Sequence, residues 1–145
     1  MLYESIQITD CGPVSGHSAQ TQAKLQIMMQ YIHDNYSGQI TLDDIARTVL
    51  ISKSSVLNIF RTYLHTSPIN YVVEYRLKRA SKLLVDTENS VCNIAQETGF
   101  DNIGYFCRRF KKLYGVTPIN YRKYYCSAER NSMRNIHSDT NVLSG

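Results

Sequence analysis

What this chain has little of narrows its class. Its 145 residues include 7 glycines and 3 prolines, too few for a collagen-like or low-complexity protein. No apolar run comes near the roughly 18 residues that a membrane span requires. The start, Met1-Leu2-Tyr3-Glu4-Ser5, has neither the basic nor the apolar region of a secretory signal. Cysteine is sparse and dispersed: Cys11, Cys92, Cys107 and Cys126 show no CxxC spacing and no histidine pair beside them. Neither a disulfide framework nor a metal site is expected, and the thiols are read as reduced, in a cytoplasmic protein. Catalytic signatures are missing too. There is no HExxH, no phosphate-binding glycine loop and no GxSxG, and Gly12-Pro13-Val14-Ser15-Gly16 has the wrong spacing for a nucleophile elbow. His17, His33, His65 and His137 are scattered without evident carboxylate partners. The expectation is a protein that is not an enzyme and needs no cofactor. Strand-type alternation is absent throughout, which leaves an all-α fold.

What is present is helical periodicity. A hydrophobic content of 43% suits an ordinary globular domain. Residues 1–19 read as a leader or interdomain linker. From Gln20 to about Tyr36, Leu25, Met28, Met29 and Ile32 make one apolar face, and Ser37-Gly38 stops the helix. Thr41 is an N-cap with Asp43 and Asp44 behind it, where the helix dipole favours acid, and that short helix runs to about Thr48. Ser52 caps a helix to about Leu64. Thr66-Ser67-Pro68 opens the longest helix, to about Asp86, with Ile69, Tyr71, Val72, Leu77, Ala80, Leu83 and Leu84 as its apolar stripe. A short helix follows Asn89-Ser90, Gly99 ends it, and a further helix spans about Ile103 to Tyr114, stopped by Gly115. Thr117-Pro118 opens a last one through Tyr125. That makes about seven helices in a domain spanning 20–125, with 126–145 read as a disordered tail.

The chain also repeats itself at a period of about 50 residues. Phe60 recurs as Phe110, Arg61 as Lys111, and Pro68-Ile69-Asn70-Tyr71 recurs identically as Pro118-Ile119-Asn120-Tyr121. Ile45-Ala46 recurs as Ile94-Ala95, one residue short of that spacing, so the second copy has an extra residue between its two helices. Two helices crossing at about 90–120° over a short turn need a small residue at the crossing, which Ala46 and Ala95 supply. They also need an apolar inner face on the second helix: Val56, Ile59 and Phe60 in one copy, Phe106 and Phe110 in the other. The pattern is a helix-turn-helix, twice: about 41–64 and 90–114, joined by a linker helix at about 67–86.

From about Leu25 to Lys123 the chain resembles the DNA-binding domain of the AraC/XylS family of bacterial transcription regulators. The matching residues are Ile45-Ala46, Ser52, Phe60, Arg76-Leu77, Ala80 and Leu83-Leu84, then more densely Ile94-Ala95, Gly99-Phe100, Tyr105-Phe106, Arg108 to Lys112, Gly115 to Pro118 and Tyr121-Arg122. Val49-Leu50-Ile51 stands where the family usually has a turn glycine, and Gly104 replaces a polar residue. The resemblance implies seven helices and two second helices entering major grooves of double-stranded promoter DNA. By that alignment Ser54, Leu57 and Asn58 face bases in the first copy, and Ile103, Gly104, Cys107 and Arg108 in the second. Asn58 suits adenine, Leu57 a thymine methyl, and Arg108 guanine. Lys53, Arg61, Lys111 and Lys112 are expected on phosphates, with the helix N-termini at Thr41 and Ser90. Arg109, beside core-facing Phe110, is expected in an intramolecular ion pair. A linker helix of ~17 residues spans roughly 25 Å, against about 34 Å between successive grooves.

The expected function is a sequence-specific transcription regulator, an activator by the family's commoner role, in a bacterial cytoplasm and away from membranes. The competing reading is a protein-interaction module in which one copy meets RNA polymerase or another regulator; Leu57, Ile103 and Cys107 on the reading faces keep it open. The oligomeric state is left open, with one chain sufficing as a DNA-binding unit. Charge supports the DNA reading. The chain carries +4 overall, but residues 41–125 hold 13 basic against 7 acidic groups, concentrating positive charge where phosphates would lie.

Overall fold

The duplicated tetrapeptide has a structural cause. Pro68 and Pro118 are buried and stand in the first turn of a helix, where a missing N–H breaks no bond. The next-but-one residue is capped: the Asn70 N–H donates to Ser67 Oγ at 3.1 Å, and the Asn120 N–H to Thr117 Oγ1 at 3.3 Å. The tyrosine then meets a phenylalanine edge to face, Tyr71 on Phe60 at 5.7 Å and Tyr121 on Phe110 at 5.3 Å. Each copy thus closes its second helix onto the helix that follows by the same aromatic pair.

A computed structural model describes the backbone of residues 11–126 and the side chains from residue 19 onward. The helices are α1 (Cys11–Asn35), α2 (Leu42–Thr48), α3 (Lys53–Leu64), α4 (Pro68–Asp86), α5 (Val91–Glu97) and α6 (Ile103–Tyr114). A seventh, α7, covers 118–126. Among the described residues there is no strand, so the all-α, seven-helix expectation holds. No helix of the described residues is long and apolar enough to cross a membrane.

Two sequence expectations need correction. The first helix is already formed at Cys11, ahead of Gln20. Its early turns lack the apolar face that starts at Leu25, so periodicity could not reveal them. The stretch read as a leader is therefore helical from residue 11; residues 1–10 and the tail read over 127–145 lie outside the described residues. In α4, Ile69 is 47% exposed, like its counterpart Ile119 at 55%. Both lie in a first turn, ahead of the packed face. Val73, absent from the expected stripe, is buried instead.

The chain divides inside α4, between Val73 and Glu74, into two compact units. The first packs Leu25, Met28 and Ile32 of α1 against Ile45 and Ala46 of α2, Val56 and Phe60 of α3, and Val72. The second buries Leu77, Ala80, Leu84, Ile94, Ala95, Phe100, Phe106 and Phe110. The fully buried Thr98 hydroxyl donates to the Ile94 carbonyl at 2.8 Å, so it is not stranded. Arg122 of α7 closes the second unit. Its Nε donates to the Leu84 carbonyl at 2.9 Å and its Nη2 to Thr87 and Asn89 at 3.3 and 2.6 Å, filling carbonyls left open where α4 ends.

Candidate nucleic-acid interface

Each unit presents the second helix of its helix-turn-helix outward. In the first, Thr41 caps α2 through a capping box: its hydroxyl accepts the Asp44 N–H at 3.1 Å, and Asp44 accepts the Thr41 N–H at 3.0 Å. The backbone hydrogen bond from Thr41 is the main reason that the Asp44 carboxyl titrates below its ordinary range. The turn to α3 runs through Leu50 at φ 55°, in the left-handed region, with the Ile51 N–H on the Ala46 carbonyl at 3.2 Å. Ser52 then caps α3 by accepting the Ser55 N–H at 3.2 Å.

The second unit repeats this with different residues. Ser90 caps α5 by accepting the Asn93 N–H at 3.1 Å. Gly99, at φ 97°, takes the left-handed turn position, and the Phe100 N–H reaches the Ala95 carbonyl at 2.9 Å. Asn102 caps α6, accepting the Tyr105 N–H at 2.8 Å. Asp101 is the extra residue of this copy. It acts electrostatically on Arg76, whose guanidinium burial pushes below its usual pKa while Asp101 and Tyr105 oppose the shift; an arginine stays protonated regardless.

On α3, Val56 and Phe60 face the core, and Ser54, Leu57, Asn58 and Arg61 are exposed on the other side, with Lys53 at the helix start. Lys53 Nζ lies 3.4 Å from Asp43 Oδ1, each side chain more than half exposed. Such a pair contributes about 0–1 kcal/mol, too little to keep the lysine from a phosphate. On α6, Phe106 and Phe110 are buried, Ile103, Arg108, Lys111 and Lys112 are exposed, and Gly104 and Cys107 are half-buried. The expected base-facing residues therefore share one face of α3 and one face of α6, each within its own unit.

Arg108 and Arg109 take different roles. Arg109 Nη1 donates to the Tyr105 hydroxyl at 3.1 Å and its guanidinium lies 5.9 Å from the centroid of that ring, a contact to a phenol where an ion pair was expected. Arg108 forms no hydrogen bond or salt bridge among the described residues. Its Nη1 lies back toward the start of α6, 3.5 Å from where a Cβ on Gly104 would be. A cation there meets the positive end of the helix. Both favour an electron-rich group arriving from outside.

The two expected helix-end contacts differ. An anion reaching α2 at Thr41 meets Asp43 and Asp44. At Ser90, α5 has no acid in its first turn. Lys24 of α1, to which the sequence reading gave no contact, borders an open groove of about 350 Å³ together with Ser55, Asn58 and Thr62 of α3. It is the only Lys or Arg before residue 41, a signal that charge counting by segment contains. Among the described residues, Cys92, Cys107 and Cys126 are free thiols.

A family model described as a helix-turn-helix domain matches residues 45–124. An HTH-type transcriptional regulator of Bacillus subtilis, YdeC, is 32% identical over 100 residues, which are 69% of this chain and 34% of that protein. The lactose operon transcription activator of Staphylococcus xylosus is 29% identical over 101 residues, 70% of this chain and 36% of that one. The chain thus spans about a third of the length of these curated relatives. A crystal structure of a transcriptional regulator with an AraC-type DNA-binding domain, from Chromobacterium violaceum, superposes with a TM-score of 0.69 at 31% identity, covering 72% of this chain and 94% of that one.

Proposed function

Because this chain belongs to the AraC-type helix-turn-helix DNA-binding domains, we propose that it binds double-stranded promoter DNA sequence-specifically, as a cytoplasmic activator of transcription and not as an enzyme. α3 and α6 each enter a major groove, and the two grooves are successive ones. The observation that carries this reading is Arg108, an exposed guanidinium with no hydrogen bond or salt bridge among the described residues, lying back toward the positive end of a helix whose other exposed cations are Lys111 and Lys112. Arg108 reads a guanine. Ser54, Leu57 and Asn58 read the other half-site, with Ile103 and Cys107 supplying apolar contact. Lys53, Arg61, Lys111, Lys112 and Lys24 neutralise phosphates, as does the N-terminus of α5 at Ser90, with less from Thr41 because of its two acidic neighbours. Activation rests on the relative that is named an activator, and contact with RNA polymerase is the route by which a bound activator would act.

The test is selection of bound sequences from a random duplex pool, followed by a salt titration. Two half-sites centred about one helical turn apart, and affinity that falls linearly with log salt, are the expected results. A single enriched half-site would remove one reading helix from the proposal. Salt-independent behaviour with no enriched sequence would instead favour a protein-interaction module.

A further inference from the structure

The two reading helices are not charged alike. A helix in a major groove about 12 Å wide runs between two phosphate backbones, one on each side. In α6, Arg108 is followed three and four positions on by Lys111 and Lys112, both exposed. Those spacings put one lysine on each side of the arginine, so α6 carries a cation for either backbone. In α3 the matching residues are Asn58, Arg61 and Thr62. One side of α3 has Arg61, with Lys53 earlier in the same row; the other has Ser55, Ile59 and Thr62 and no charge. That uncharged side faces the groove bordered by Lys24 of α1. No acid lines this groove, and Lys24 has no hydrogen bond or salt bridge among the described residues. The second unit uses the corresponding cation differently. Leu77, Ala80 and Leu84 of α4 are buried at the same spacing as Leu25, Met28 and Ile32 of α1, which makes Arg76 the counterpart of Lys24. Arg76 is half-buried and feels the charge of Asp101, the extra residue of that copy. One unit thus has an acid for this cation and Lys112 outside; the other has neither.

We infer that α1 belongs to the DNA interface: Lys24, with the Ser55 and Thr62 hydroxyls, takes a phosphodiester of the strand that runs on the side of α3 away from Lys53 and Arg61. This rests on the DNA-reading function proposed above and assigns one strand to one helix outside the helix-turn-helix. A phosphate oxygen accepts hydrogen bonds from the ammonium and from both hydroxyls. With cations on both sides, α3 stays centred over the bases that Asn58 reads, and Lys24 itself carries no sequence information. The first unit therefore needs α1 for what the second does with α6 alone.

The experiment uses the full chain and the duplex that it enriches from a random pool, in the half-site whose base preference Asn58→Ala relaxes. Single phosphates of that half-site are replaced in turn by uncharged methylphosphonates. Wild-type binding is expected to weaken at phosphates on both strands. Arg61→Ala is expected to remove the sensitivity on one strand, and Lys24→Ala on the other. Lys24→Ala should also lower the salt slope by about 1 and weaken binding about 5-fold or more at low salt, with base preferences unchanged. Alanine suits this helical position, so the unfolding midpoint should not fall. Thr62→Lys puts a cation where the second copy has Lys112, and in the Lys24→Ala chain it should restore the salt slope. An unchanged slope in Lys24→Ala, loss of sensitivity on the strand that Arg61 serves, or no restoration by Thr62→Lys would each overturn the inference. A wild-type chain that enriches no sequence overturns the DNA reading itself, and is distinguished because that failure precedes any substitution.

Discussion

The two helix-turn-helix units reach one backbone from opposed residue choices. Where the second has Gly99 and Gly115 in left-handed conformations, the first has Leu50 at φ 55° and His65 at φ 54°. The turn bonds differ accordingly: 3.4 Å from the Leu50 N–H and 3.2 Å from the Ile51 N–H, against 3.1 Å from Gly99 and 2.9 Å from Phe100. Left-handed backbone costs a residue with a β-carbon about 1–2 kcal/mol, so the first unit bears a strain that the second avoids. The strain persists because the flanking residues leave no alternative. Ile45 and Ala46 before the turn and Val56 after it are buried in one core, and burying such side chains is worth about 1.5–3 kcal/mol for each large one. Packing fixes the turn, and glycine merely relaxes it.

The cores break the comparison most sharply. Phe60 has Tyr71 as its ring partner, while Phe110 touches Phe106, Tyr114 and Tyr121. Phe110→Ala and Phe60→Ala are each expected to destabilise by about 3–5 kcal/mol, with Phe110→Ala the larger because more ring pairs are lost; urea unfolding measures both. Next come the reading faces. Arg108→Ala is expected to weaken binding to the selected duplex by about 1–3 kcal/mol and to relax preference at one position. Asn58→Ala acts on the other half-site, and Lys111→Ala lowers the salt slope by about 1 without changing preference.

The turns give a smaller effect with a definite sign. Leu50 is 90% exposed, so Leu50→Gly sacrifices no packing. It should stabilise by about 0.5–1 kcal/mol once glycine's greater unfolded-state freedom is subtracted. Gly99→Leu should destabilise by about 1–2 kcal/mol, and thermal unfolding of both variants checks the pair. Equal responses at the two positions would mean that the turns do not differ in strain.

The smallest effect is in pH. His33 Nε2 and the Tyr71 hydroxyl are 2.8 Å apart, whereas the matching Tyr121 meets the Tyr114 and Tyr125 rings. Burial lowers the His33 pKa from 6.5, against an opposing pull from Asp34. The folded state then favours neutral imidazole. This contribution is whole above pH 6.5 and is lost as pH falls below it toward the folded value. Unfolding midpoints at pH 8 and pH 5.5 should differ more for wild type than for His33→Gln.

Much of this was legible because local signals agreed. Thr41, Ser52 and Ser90 are cap residues by type and cap by geometry, and α3 and α6 have the bounds that periodicity set. The repeat marked Phe60 with Phe110 and Tyr71 with Tyr121 as equivalent positions, while their edge-to-face pairing shows only in the structure. Less legible was whatever depended on how a chain end or a first turn is covered. The early turns of α1 carry no apolar face, and Ile69 has the right phase for burial but stands ahead of the packed stretch. Leu50 could be recognised as a departure, yet not as a residue held at positive φ, since nothing local favours that conformation. On the reading faces, residue type told which side chains point outward. Arg109 was already set apart from Arg108 by its place beside Phe110, but its partner, the Tyr105 hydroxyl, is set by side-chain path and shows only in the coordinates.

The Arg122 clamp bears on where this domain can be cut. Its guanidinium holds the carbonyls of Leu84, Thr87 and Asn89, which lie more than thirty residues earlier in the chain, and so makes α7 the latch on the end of α4. A fragment ending at residue 121 would keep every residue of both helix-turn-helix motifs and still leave those carbonyls to water. The smallest portable form of the second unit is thus defined by a residue that touches neither turn nor reading face. Boundaries drawn at the last residue of the motif would fall short of it.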